Sequence, residues 1–215
     1  MANFIEEVDE EVRRERLEKL WKRWSPAVIG FVVVLLVGVA GWQFWQNHKA
    51  EKAAADAAAF NAALTLAQSG KPAEAATAFA GLAGSAGEGY ALLARFQQAA
   101  NLVEAKDIPG AIAAYDAIAS SGAEARFRDL ARYMAAFHGL ETLDAEAVKQ
   151  RLAAIPADSP WAGNARELQA IADLKAGNVD AARQQLTALA DDALAPAGLR
   201  GRATELLAAL GGPVQ

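Results

Sequence analysis

The stretch KDIPGAIAAYDAI, residues Lys106–Ile118, contains the unit from which most of this chain is built. Proline and glycine make its first part a turn, and bulky apolar residues follow Ala111 at a helical spacing. Similar breaker-rich turns recur as SGKPAEA (Ser69–Ala75), ETLDAEA (Glu141–Ala147) and GNVDAA (Gly177–Ala182). Alanine-rich stretches without strand-like alternation separate these turns, so the sequence predicts an all-α protein.

The turns bring four columns of residues into register. The first column, just inside the helix after each turn, is Ala75, Ala111, Val148 and Ala182, at spacings of 36, 37 and 34 residues. Four residues later come Phe79, Tyr115, Leu152 and Leu186, and seven residues later come Leu82, Ile118, Ile155 and Leu189. Twelve residues before the first column, on the preceding helix, stand Ala63, Ala99, Ala136 and Ala170. Small residues there allow two helices to approach closely, while the bulky columns fill the space between hairpins.

This period and the pattern of small and then bulky residues resemble the tetratricopeptide repeat, a helix–turn–helix unit of about 34 residues. The resemblance predicts an α-solenoid of about four helical hairpins with a last helix near Ala197–Leu210 as a C-terminal cap. The chain departs from the repeat pattern in three respects, the first of which is that spacings of 36 and 37 residues require slightly longer connections. The proline usual at the end of each repeat occurs only at Pro160, and the third turn has no glycine.

A different feature precedes the repeats. The run SPAVIGFVVVLLVGVAGWQFW, residues Ser25–Trp45, contains no charged residue. A bilayer core requires about 20 apolar residues in a helix, and indoles settle at both membrane interfaces. Tryptophans flank the run at both ends: Trp21, Trp24, Trp42 and Trp45. We expect one transmembrane helix surrounded by lipid, with a cleaved signal peptide and a buried core helix as the alternatives.

These features divide the chain into an amphipathic leader over residues 1–24, a transmembrane helix over 25–46 and a repeat domain over 47–215. Apolar residues at helical spacing mark the leader: Ile5, Val8, Val12, Leu17, Trp21 and Trp24. Whether the leader lies at the membrane interface or docks on a cytosolic partner stays open. Six basic residues precede the run and only Lys49 and Lys52 closely follow it, so we expect a cytosolic N-terminus and an exported domain.

The exported part lacks the signs of nucleic-acid binding and of catalysis. After residue 48 it has 15 Lys and Arg against 19 Asp and Glu, without a basic stripe. The chain has no cysteine, and its two histidines, His48 and His138, are not spaced as a metal-binding pair. The turn SGKPAEA lacks the phosphate-loop pattern, and AGSAG (Ala83–Gly87) lacks that of a nucleophile elbow. We therefore expect no enzyme activity, catalytic residue, metal site or cofactor, and no nucleic-acid partner.

Three motifs carry a more specific resemblance. They are GWQFWQNHKAEKA from Gly41, GYALLARFQQA from Gly89 and WAGNARELQAIADLKAGNVDAARQQL from Trp161. With the basic leader and the alanine-rich repeats, they make nearly the whole chain resemble the ancillary SecYEG translocon subunit family, of the YfgM type. The resemblance implies a bacterial inner-membrane protein with a periplasmic domain, acting at SecYEG beside a periplasmic peptidyl-prolyl isomerase or chaperone. A scaffold for another envelope assembly, in cell division or respiratory-complex maturation, is the alternative.

Two further columns indicate a candidate partner groove, because the first helix of each hairpin faces the concave side of such arrays. Three residues before the alanine column stand Phe60, Phe96, Tyr133 and Glu167, and one residue after it stand Leu64, Ala100, Phe137 and Ile171. We predict that the large apolar members form a groove for extended polypeptide or an amphipathic helix. These members are Phe60, Leu64, Phe96, Tyr133, Phe137 and Ile171. The alternative is that they are core residues.

Overall fold

The computed structural model describes residues 3–211, with side chains described from residue 21 onward except at residues 23, 25–29 and 32. The described residues form nine α-helices and no β-strand, which confirms the predicted all-α fold for this part of the chain. The helices are α1 Asn3–Gln68, α2 Pro72–Ser85, α3 Glu88–Glu104, α4 Ile108–Ala119, α5 Ala125–Gly139, α6 Ala145–Ala153, α7 Ala162–Lys175, α8 Val179–Ala190 and α9 Ala197–Ala209.

The helix α1 is continuous over 66 residues. It contains the predicted leader from residue 3 onward, the predicted span and the first helix of the first hairpin. The leader side chains that suggested an amphipathic helix, up to Leu17, lie outside the described side chains. The chain divides into two compact units, Met1–Ala54 and Ala55–Gln215. Within the part of the chain that the structure describes, no helix combines the length and the apolar character needed to cross a membrane.

The second unit consists of helical hairpins. Residues 55–68 of α1 pack on α2, and the pairs α3 with α4, α5 with α6, and α7 with α8 follow in chain order. The last helix, α9, packs on α8 and also touches α7. The helices α5 and α7 touch as well, so the first helices of the later hairpins and α9 lie side by side. Contacts between neighbours of this kind are the organising feature of a repeat array.

Three of the four turns within hairpins end the preceding helix in the same way. Gly70, Lys106 and Gly177 each stand five residues before the first aligned column and have φ angles of 73°, 64° and 81°. The N–H groups of each residue and of its successor donate to carbonyls in the last turn of the helix, as in a Schellman motif. The third turn lacks this device. There the Asp144 carboxylate accepts a hydrogen bond of 2.7 Å from the Ala147 N–H and caps α6.

The aligned columns form the core of the second unit. All sixteen of their members are buried, and none is more than 8 % exposed. They are Ala63, Ala99, Ala136 and Ala170; Ala75, Ala111, Val148 and Ala182; Phe79, Tyr115, Leu152 and Leu186; and Leu82, Ile118, Ile155 and Leu189. Fifteen of these residues, all except Ala111, belong to four apolar clusters that follow one another along the array. The alanines therefore lie where helices meet, and the bulky residues fill the space beside them.

Candidate protein-interaction site

The two predicted groove residues on α1 pack against the core of the first hairpin. Phe60 makes an edge-to-face contact with the buried Phe79 at a centroid distance of 5.2 Å, and its ring lies 5.8 Å from that of Tyr90. Leu64 packs in the same cluster. Both side chains are half-buried. The N-terminal end of the predicted groove is therefore largely covered by its own hairpin and by α3.

Phe96 on α3 is likewise half-buried in an aromatic cluster. Its ring centroid lies 6.3 Å from that of Tyr115 on α4 and 6.5 Å from that of Phe127 on α5. These tilted rings join three helices, and aromatic pairs at such distances contribute beyond the area they bury. Phe96 therefore has the contacts of a packing residue.

The other three predicted groove residues, Tyr133, Phe137 and Ile171, lie together in one pocket. This pocket has a volume of about 500 Å³ and lies between α5, α7 and α9. We refer to it as the α5–α7–α9 pocket; its lining residues are Tyr133, Phe137, Glu167, Leu168, Ile171, Arg202, Glu205 and Leu206. The three C-terminal members of the predicted groove therefore line one pocket. Phe60, Leu64 and Phe96 are not among its lining residues.

Aromatic rings form the α5 side of the pocket. Tyr133 stacks on Phe137 with an interplanar angle of 24° and on Trp161 with an angle of 22°. Phe137 is 49 % exposed, which is unusual for a phenylalanine in a packed domain. Burial raises the pKa of Tyr133, and the nearby Glu167 carboxylate raises it further, partly offset by Arg202. The tyrosine is therefore neutral at physiological pH and can donate its phenolic proton.

An ion pair forms the opposite wall. The Arg202 guanidinium on α9 donates to both carboxylate oxygens of Glu167 on α7, through Nε and Nη2, each at 2.7 Å. Hydrogen bonding to Glu167 raises the pKa of Arg202 despite the opposing effect of burial. Glu167 is only 7 % exposed, and its partner therefore satisfies a charge that would be costly to bury alone. Glu205, one turn further along α9, is exposed and adds a second carboxylate to the lining.

Sequence reasoning missed the contribution of α9 to the pocket. Arg202, Glu205 and Leu206 belong to the helix that was expected only to cap the array. A weak signal was available, because Arg202 follows Glu167 by 35 residues, about one repeat. Arg151 follows its bidentate partner Asp116 by the same interval.

A polar cluster around Asp173, outside the pocket, connects three helices. The buried Asp173 accepts hydrogen bonds from Lys149 at 3.1 Å, Asn178 at 3.3 Å and Gln185 at 2.9 Å. Burial would raise the pKa of Asp173, but these hydrogen bonds lower it overall. The network joins α6, α7 and α8 and supplies the buried Asp173 carboxylate with three hydrogen-bond donors, as a buried carboxylate requires.

The two histidines are far apart in sequence and have different surroundings. His48 is an exposed residue of α1, whereas His138 stacks on Tyr115 with a centroid distance of 5.8 Å and an interplanar angle of 7°. Among the described residues, no group of three or more His, Cys, Asp or Glu side chains is placed to hold a metal ion.

Helical hairpins that pack on their neighbours in chain order define a helical-repeat protein. In the comparison with protein families, the tetratricopeptide repeat-like domain matches residues 18–137, more than half of the 215-residue chain. The chain belongs to this family. The match includes the α5 wall of the pocket and ends at Phe137, before α7 and α9. The searches of curated proteins and of solved structures gave no significant match.

Proposed function

We propose that the second unit is a protein-interaction module that binds a partner polypeptide in the α5–α7–α9 pocket. Tetratricopeptide repeat-like domains bind protein partners, and repeat arrays use their concave surfaces to do so. The observation that carries the proposal is the half-exposed Phe137 beside the stacked Tyr133, in a pocket of about 500 Å³. Partly exposed aromatic rings in a concave site are typical anchor points of protein interfaces.

The pocket proposal can be tested by site-specific photo-crosslinking in cells. A photoreactive amino acid in place of Phe137 would lie in the pocket, and the same amino acid in place of Leu194 provides the control. Leu194 is 96 % exposed and is not a lining residue of the pocket. We expect discrete crosslinked partners at position 137 that are missing at position 194. Identical products at both positions, or no products at either, would contradict binding in the pocket.

We further propose that residues 25–46 anchor this module in a bacterial inner membrane as a single span. The uncharged run and its flanking tryptophans support this anchor, and the family match begins at residue 18 and therefore includes the run. Near the end of the run, the Lys49 ammonium lies 3.6 Å from the centroid of the Trp45 ring. Tryptophans such as Trp45 are enriched at membrane interfaces. The side chains of residues 25–29 and 32, inside the run, are outside the described ones.

The proposed topology has the N-terminus in the cytosol and the repeat domain in the periplasm. It rests on the excess of Lys and Arg before the run. A reporter active only in the periplasm, fused after Gln215, should be active, and the same reporter at the N-terminus should be silent. The reverse result would invert the topology. A mature protein that begins near Trp42 would instead identify the run as a cleaved signal peptide.

For the cellular role, we propose a tethered module at the SecYEG translocon that links emerging secretory polypeptides to periplasmic chaperones or a peptidyl-prolyl isomerase. The sequence motifs that resemble the ancillary translocon subunits support this role. The alternative is a scaffold for another envelope assembly, in cell division or respiratory-complex maturation. Affinity capture after gentle detergent extraction separates the two proposals. Sec subunits together with an isomerase favour the first, and cell-wall or respiratory proteins favour the second.

A further inference from the structure

The charge of the α5–α7–α9 pocket differs from that of a purely apolar groove. Its lining contains two carboxylates, Glu167 and Glu205, and one guanidinium, Arg202. Glu167 uses both oxygens to accept hydrogen bonds from Arg202, so these two charges largely compensate each other. The exposed carboxylate of Glu205 then leaves the lining with a formal charge of −1.

The aromatic wall adds to this preference for positive charge. The ring of Phe137 is half-exposed, and its neighbour Tyr133 is a neutral phenol with an electron-rich face. Aromatic faces attract ammonium and guanidinium groups through the ring quadrupole. The same rings, with Leu168, Ile171 and Leu206, provide an apolar surface for the methylene groups of a long side chain.

From this combination we infer that the pocket is selective for a basic residue within an apolar polypeptide segment. The side chain of an arginine or lysine of the partner lies across Phe137 and Tyr133, with its charge toward Glu205. Apolar residues of the partner on either side of it contact Ile171 and Leu206. The Glu167–Arg202 pair holds α9 in place and leaves Glu205 as the carboxylate available to the ligand. This inference rests on the proposed function of the pocket and specifies the chemistry of its partner.

The test uses the full chain in a non-ionic detergent and a short fluorescein-labelled peptide of leucine and serine with one central arginine. Two counterpart peptides carry glutamine or glutamate in place of that arginine, and fluorescence polarisation measures binding. We expect the arginine peptide to bind about fivefold or more tightly than the glutamine peptide, and the glutamate peptide to bind most weakly. Added salt should weaken the arginine peptide more than the glutamine peptide.

Two protein variants, each of which removes one negative charge, test whether Glu205 is responsible for the preference for arginine. Glu205→Gln should remove most of the preference for arginine. Glu104→Gln, which changes the same charge at an exposed residue of α3 outside the pocket lining, should leave the preference intact. Equal effects of the two variants, or equal binding of the three peptides to the wild-type chain, would overturn the inference.

Phe137→Ala distinguishes failure of this inference from failure of the proposed function. If the three peptides bind equally and Phe137→Ala weakens all of them, the pocket binds polypeptide but has no basic selectivity. If Phe137→Ala changes none of the three affinities, or no peptide binds, the pocket is not a polypeptide site and both proposals fail.

Discussion

Arg202 and Glu167 form a bidentate ion pair that joins α9, the last of the described helices, to α7, the first helix of the preceding hairpin. The pair has two effects. It satisfies a carboxylate that is almost completely buried, and it places α9 so that Glu205 and Leu206 complete the α5–α7–α9 pocket. A terminal helix that usually only covers the apolar end of a repeat array therefore also forms one wall of the candidate site.

Arg202→Met should destabilise the chain by about 1–3 kcal/mol, because it leaves the buried Glu167 carboxylate without its partner. The exposure of the Arg202 side chain, 52 %, lets water reach the pair and favours the lower end of this range. Chemical denaturation of the full chain in detergent measures the change. Arg200→Met on the same helix is the control and should have little effect. Equal losses in the two variants would show that the ion pair contributes nothing specific.

Lys106→Gly should stabilise the protein by about 0.5–1 kcal/mol. Lys106 has a φ of 64° at the position where two other turns have glycine, and a side chain makes this left-handed conformation costly. The reciprocal change, Gly70→Ala, should cost about 1 kcal/mol. A Cβ at Gly70 would meet no atom within 4 Å. The change in stability caused by Gly70→Ala therefore measures the cost of the backbone conformation and not of a steric clash. Thermal unfolding measures both changes. A lower melting temperature for Lys106→Gly would contradict the conformational explanation.

Phe96→Ser should mainly reduce stability, whereas Phe137→Ser should mainly reduce binding of the partner. Phe96 packs between Tyr115 and Phe127, so its loss should cost about 2–4 kcal/mol of unfolding free energy. Phe137 is 49 % exposed, and its replacement should cost less than about 1 kcal/mol while it reduces partner capture. Denaturation curves and capture yields on the same samples give both quantities. Normal capture by Phe137→Ser would exclude this ring as a binding residue.

Stability should fall as the pH drops through the range of histidine titration. Burial against Tyr115 lowers the pKa of His138 below its usual 6.5, so the unfolded chain binds a proton more readily than the folded chain. The loss should begin near pH 6.5 and reach a plateau below the pKa of the folded state. His138→Gln should flatten the pH dependence between about pH 7 and pH 5. An unchanged slope would assign the pH dependence to other groups.

The hairpins could be predicted from the sequence because their determinants are local. Turn residues recur at nearly constant spacing, and a small residue such as Ala99 stands twelve positions before a second small residue, Ala111. Both alanines are completely buried. Helical periodicity decides which residues of one hairpin face each other, and this relationship needs no information from distant parts of the chain.

The candidate site depends on relationships between hairpins, which repeat spacing does not specify. Phe96 and Tyr133 occupy the same column, yet Phe96 packs against Tyr115 and Phe127 whereas Tyr133 lines a pocket. The two environments differ because each depends on how the next hairpin packs against the first helix. The column therefore did not predict which of its members line the pocket.

The helical hairpins, their columns of small residues and the uncharged run before them can be read from the sequence, because these features depend on spacing along one or two helices. The position of the pocket, with Arg202 and Glu205 in its lining, depends instead on how distant helices pack together. The carboxylate of Glu167 and the guanidinium of Arg202 are 35 residues apart and meet through the packing of α9 beside α7. That packing follows from the fit of buried side chains across several helices, which no local pattern records.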